Sequence, residues 1–155
     1  MMYIKFILLF TIAHAVSYTL AGAIILKFSR EIYENKERLC DYQKDMADEK
    51  ERKYVEKHFF PAQILRGLLM GVVLLPILSA LEDLTIIIQF IFFVSLMFIY
   101  THISSAAPAP DNIEGQVHFK NKYLQKNSFI KFQVEMVMYS VLFGLIKTFF
   151  MHFFI

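Results

Sequence analysis

Long apolar runs broken by short polar stretches dominate the chain, and four of these runs are long enough to cross a bilayer as helices. A hydrocarbon core of about 30 Å takes about 20 apolar helical residues. Residues 6–26 carry no charge, residues 61–81 only Arg66, and residues 84–103 none. Residues 129–155 carry Lys131, Glu135 and Lys147. The pattern predicts an all-α integral membrane four-helix bundle occupying residues 1–155 as a single membrane domain. Only Glu82 and Asp83 separate the middle two spans, so these form a tight antiparallel hairpin with Asp83 as N-cap of the third helix. Pro76 should kink the second span near its end.

The polar stretches differ in kind. Residues 27–60 hold no glycine and no proline before Pro61, and recurrent i,i+4 charge pairs: Glu34–Arg38, Asp48–Arg52, Glu49–Lys53, Lys27–Glu31, Arg30–Glu34 and Lys44–Asp48. A thin apolar stripe of Ile32, Leu39 and Met46, with Tyr42 between, runs along it. This predicts a charged helical cytoplasmic extension, the first helix running on and then turning back toward the second. Residues 104–128 open with Ser104-Ser105-Ala106-Ala107-Pro108-Ala109-Pro110, an extended loop, followed by a turn at Asp111-Asn112.

Composition sharpens the class. The chain is 57% hydrophobic and 19% charged, against about 25% charged in an ordinary soluble domain. Residues 27–57 hold 18 of the 30 Asp, Glu, Lys and Arg residues, nine of each sign, so that segment is no basic arm for nucleic acid. A single cysteine, Cys40, excludes an intrachain disulfide, and no His/Cys cluster at ligand spacing suggests a metal. Lys and Arg concentrate in the two long connections, which places those in the cytoplasm and both termini on the non-cytoplasmic side. Met1 to Ala23, with Lys5 ahead of an apolar stretch, reads as the first span rather than a signal peptide because the apolar run is long.

The chemistry within the spans is sparse. Small residues at four-residue spacing mark packing faces: Ala13, Ser17 and Ala21 on the first helix, Gly67 and Gly71 on the second, Ser140 and Gly144 on the fourth. Arg66 and Glu135 lie at matched counts from Pro61 and Phe129, which invites a buried pair, direct or through one bridging group. With His102 they form a candidate polar site at the cytoplasmic leaflet, and His14 is a further intramembrane candidate. Lys147 and His152 are placed to snorkel to the outer interface. Walker A, dinucleotide, HExxH, Gly-x-Ser-x-Gly and CxxC motifs are absent, so no catalytic residue is assigned and no cofactor is expected.

Four helices with two long cytoplasmic connections resemble, in layout, the small membrane glutathione transferases and leukotriene synthases of the MAPEG family. Arg66 and Tyr100-Thr101-His102 lie where that family places functional groups. The family's Arg and Asn/Glu pattern along the second helix is missing, since Gly67, Leu68, Leu69, Met70 and Gly71 follow Arg66. The resemblance therefore implies topology alone. Two function classes are expected. One is a non-enzymatic membrane component, a scaffold or accessory subunit whose charged cytoplasmic helices dock a partner. The other is a small oligomeric enzyme or transporter acting on a lipid, amphiphile or ion around Arg66, His102 and Glu135. Membrane lipids, and a protein partner or a second copy of the chain, are the expected partners.

Overall fold

A computed structural model describes residues 2–34 and 41–155. Cys40, Leu39 and the Glu34–Arg38 pair fall wholly or partly outside the described residues. Helices α1 (Met2–Phe28), α2 (Arg30–Tyr33), α3 (Glu49–Val73), α4 (Leu78–Glu82), α5 (Ile86–Ser95), α6 (Ile113–His118) and α7 (Lys126–Phe154) carry the fold, with no strand among the described residues. Three helical stretches are long and apolar enough to cross a membrane: α1, Ile86–Ile103 and α7. The bent pair of α3 and Leu75–Glu82 adds a fourth if it is one span.

The charged segment does not extend α1. Ser29, at φ −135°, ends that helix, and α2 adds only one turn. The reason lies in Ile32, which is fully buried against Phe132 of α7. Burying it turns the chain back over α7 instead of letting it rise into solvent. Residues 41–48 are turns, so Tyr42 and Met46 belong to no helical stripe. The helical part of the segment belongs to α3, which starts at Glu49 where the Asp48 side chain accepts the Glu51 N–H at 2.8 Å, and runs through Pro61. Of the anticipated charge pairs, Glu49–Lys53 forms on its exposed face.

Pro76 acts as its chemistry requires. The chain tightens into a 3₁₀ turn at Leu75–Ile77, and the axis bends by 43°. Asp83 closes α4 instead of opening α5, its N–H reaching the Ser79 carbonyl at 3.2 Å; Thr85 is the N-cap of α5. The hairpin is clamped by Gln89, whose amide donates to the Leu81 carbonyl at 2.8 Å. Beyond Ser95 the Ile86–Ile103 stretch widens into a π-helix, Leu96–Ile103, finishing with Ser104 N–H on the Ile99 carbonyl at 2.8 Å.

The antiparallel pair α1 and α7 forms the centre, with α3 flanking α1 and α5 flanking α7. Small residues allow the close approaches. A Cβ on Gly67 would stand 2.8 Å from Thr11 Cα, and one on Gly71 3.3 Å from Ile7 Cα, so this face meets α1 of the same chain. A Cβ on Gly144 would stand 2.6 Å from Val94 on α5. Ala13, Ser17, Ala21 and Ser140 are all buried; the Ser17 and Ser140 hydroxyls donate to the Ala13 and Met136 carbonyls of their own helices.

Lys147 does not snorkel. It falls on the buried stripe of α7 that also holds Tyr139, Phe143 and Met151, and its side chain has no exposed surface. Side chains tilt toward a helix's own N-terminus, which on α7 leads from the C-terminal end back into the bundle. The ammonium rests 3.8 Å from the Phe6 ring centroid, with Phe10 and Phe93 at 5.8 and 5.9 Å. It has no hydrogen-bond partner among the described residues.

Candidate functional site

Tyr18 organises the half of the molecule that carries the two long connections. Its ring stacks on Phe59 of α3 at 5.9 Å and meets Tyr139 of α7 edge-on at 5.3 Å, tying three helices in one aromatic layer. Just below, His14 joins the same helices by polar contacts. Its Nε2–H donates to Gln63 Oε1 at 3.1 Å, and Nδ1 accepts the Tyr139 hydroxyl at 2.6 Å. The Met97 sulfur lies 3.1 Å from that hydroxyl. With both ring nitrogens engaged and the residue fully buried, His14 is placed as an interhelical tie.

Above the aromatic layer the helices splay around a cavity of about 490 Å³. Tyr18 and Phe59 form its floor. Gly22, Ala23 and Val55 stand on one wall, Tyr33, Phe132, Glu135 and Met136 on the other, and Tyr42, Gln43 and Met46 cover it. Gly22 provides width: its hydrogen faces Glu135, with Oε1 3.9 Å from where a Cβ would be. The Tyr33 hydroxyl donates to Glu135 Oε2 at 2.7 Å. Asp111 is the second carboxylate in the lining, and it and Glu135 act on each other electrostatically. Among the described residues the lining includes no basic side chain.

Asp111 arrives from the connection between the last two spans and is held by the π-helical turn. His102 Nδ1 lies 3.7 Å from its carboxylate, and His102 Nε2 donates to Gln133 Oε1 at 3.3 Å. Gln133 in turn donates to the Asp111 carbonyl at 2.6 Å. His102 therefore stands behind the cavity, supporting Asp111, and does not line it.

Arg66 and Glu135 do not form an ion pair among the described residues. The matched-depth argument fails because Pro61 and Phe129 are not level. Gly67, beside Arg66, abuts Thr11, whereas Glu135 abuts Gly22. Eleven residues of α1 separate these levels, about 16 Å at 1.5 Å per residue. The two charges approach only by reaching: the Arg66 guanidinium extends over the Tyr18 ring, 5.4 Å from its centroid, and Tyr18 also feels Glu135. The sequence pattern singles out neither Tyr33 nor Gly22, and it offers Tyr42 only within an apolar stripe and Asp111 only as a turn residue. Tyr18, one turn beyond His14 on α1, was the available signal.

The chain matches no family model, no curated protein and no solved structure, so the site rests on its own geometry.

Proposed function

We propose that this chain is a non-enzymatic integral membrane protein, a four-helix bundle in which α3 and Leu75–Glu82 together make one crossing, and that it binds the cationic head of an amphiphile at its cytoplasmic face. The observation that carries the reading is the cavity above Tyr18, where two carboxylates and three tyrosines face one space. Aromatic faces attract ammonium groups, by about 2 kcal/mol or more when desolvated. Two carboxylates sharing a cavity repel each other, and a bound cation removes that repulsion. The level of the cavity, one layer above the buried His14 tie, suits a head group whose tail lies in the cytoplasmic leaflet.

What supports binding over partner docking is that several charges of the connection, though partly exposed, are paired within the chain. Glu31 pairs with Lys131, Asp41 with Lys122 at 3.1 Å, and the Glu51 carboxylate accepts the Asp45 N–H at 2.5 Å. Lys44 lies over the Tyr54 ring at 4.4 Å. These contacts tie the connection to α7, α3 and the loop before α7, forming the cover.

In the proposed orientation both long connections are cytoplasmic and both termini face away. With Cys40 replaced by serine, cysteines introduced at Asp48 and Glu82 will react from opposite sides of intact vesicles. Reaction of both from one side eliminates the four-crossing arrangement. For binding, a dodecyl chain carrying a trimethylammonium head is expected to raise the thermal midpoint of the detergent-solubilised chain in a concentration-dependent manner. Glu135→Gln with Asp111→Asn abolishes that rise. Equal stabilisation by an uncharged glucoside of the same chain length overturns the reading.

A further inference from the structure

Arg66 does not line this cavity but reaches the Tyr18 ring that does, and no acid among the described residues lies within ion-pair distance of it. It is exposed on α3, next to the Gly67–Thr11 contact and thus well inside the span. An exposed guanidinium at such a level is costly unless it reaches polar groups. On α3 the Cα–Cβ bonds lean toward the N-terminal, cytoplasmic end, so the long side chain rises toward the head-group level. There it meets the ring of Tyr18, whose ring also forms the cavity floor. One ring thus has a cation over it, 5.4 Å from its centroid, and also borders a space lined by two carboxylates.

The geometry points to a zwitterionic ligand, a phosphate joined by a short linker to an ammonium, as in phosphocholine and phosphoethanolamine heads. The ammonium occupies the cavity between Glu135, Asp111 and the tyrosines. The phosphate lies against Arg66, whose planar fork presents paired donors to two phosphate oxygens. An anionic head without an ammonium would meet only the carboxylates in the cavity, and a purely cationic one would leave Arg66 unanswered. This inference rests on the cation-binding reading of the cavity and adds the phosphate to it. Phosphocholine is the shared chemistry, whether it comes from a bilayer lipid or from the free head group.

The test titrates the full-length chain in non-ionic detergent with three probes. These are a single-chain lipid bearing phosphocholine, an alkyltrimethylammonium of equal chain length, and free phosphocholine. Wild type is expected to bind the phosphocholine lipid more tightly than the alkylammonium. Arg66→Met weakens the former about tenfold and leaves the latter unchanged, while Glu135→Gln weakens both. Arg66→Lys, which keeps the charge without the fork, gives a smaller loss in the same direction and serves if the methionine variant does not fold. Response to the lipid alone assigns the bilayer as source; response to free phosphocholine as well assigns the head group by itself. Equal effects of Arg66→Met on the lipid and the alkylammonium, or no effect on either, overturn the inference and leave the cation site standing. Indifference of both to Glu135→Gln removes the cavity reading itself.

Discussion

Replacing Lys147 with methionine should raise the thermal midpoint of the protein. The lysine is fully buried on the core stripe of α7, and its amine has no hydrogen-bond partner among the described residues. Three phenylalanine rings surround it, only one of them in close contact at 3.8 Å. Cation–π attraction offers about 2 kcal/mol for a desolvated contact, against an effective penalty of several kcal/mol for burying an ion. The balance is unfavourable to the lysine. Methionine keeps most of the length and flexes to fill the same space, so the space stays filled. A gain of about 1–4 kcal/mol is expected, the range found when buried ionic groups yield to well-packed apolar ones. Lys147→Ala tests the packing half of the argument, since it leaves a void among Phe6, Phe10 and Phe93 and should fall below Lys147→Met by about 2–5 kcal/mol. Lys147→Glu should be the most damaging, because it sets a carboxylate against the negative faces of the same rings. Thermal unfolding in mild detergent reads all three. A methionine variant that melts below wild type would mean that the aromatic box outweighs the cost of burial.

The same residue shows where the sequence stops being informative. Membrane character was legible because a run such as 6–26 has no other cheap solution in water or lipid, and the bend at Pro76 because a missing N–H acts locally. Lys147 was misplaced because its fate depends on which face of α7 meets α1, which no count from a helix end supplies. The direct Arg66–Glu135 ion pair is missing among the described residues for a related reason, although both residues act on Tyr18. Helix α3 carries its charged first turns alongside the apolar end of α1, so its span does not begin level with that of α7. Register between helices is a property of packing, set by Gly67 on Thr11 and Gly22 opposite Glu135. The break at Ser29 was hidden because favourable i,i+4 pairs, at a few tenths of a kcal/mol each, predicted helix where burial of Ile32 decided otherwise. The candidate site was half legible: Glu135 stood out as an intramembrane acid, while its tyrosine neighbours come from three separate elements that only the fold assembles.

The connection that delivers Asp111 should fail as a unit if its hub is removed. Asn112 is only 2% exposed and makes four bonds. Its Oδ1 accepts the Ala109 and Gly115 N–H groups at 3.1 and 2.8 Å, and its Nδ2 donates to the Ala107 and Ser105 carbonyls at 2.8 and 3.4 Å. The loop thereby satisfies backbone groups that the prolines and the turn leave without regular partners. Gly115 closes the same knot: a Cβ there would lie 1.6 Å from the Ala109 carbonyl oxygen, which no side-chain adjustment relieves. Gly115→Ala must therefore separate α6 from residues 107–110. Asn112→Ala should cost about 2–4 kcal/mol of local stability, counting about 1 kcal/mol net for each lost bond. Neither change touches the apolar packing of α1 with α3 and α7, so the helices stay folded while residues 104–118 lose protection. Asp111 then leaves the cavity, and affinity for an ammonium amphiphile falls together with that protection. Hydrogen exchange of this segment, run beside the binding titration, separates the outcomes. Loss of protection with unchanged affinity would remove Asp111 from the site. Unchanged protection in both variants would mean that the loop is held by something other than Asn112 and the Gly115 contact.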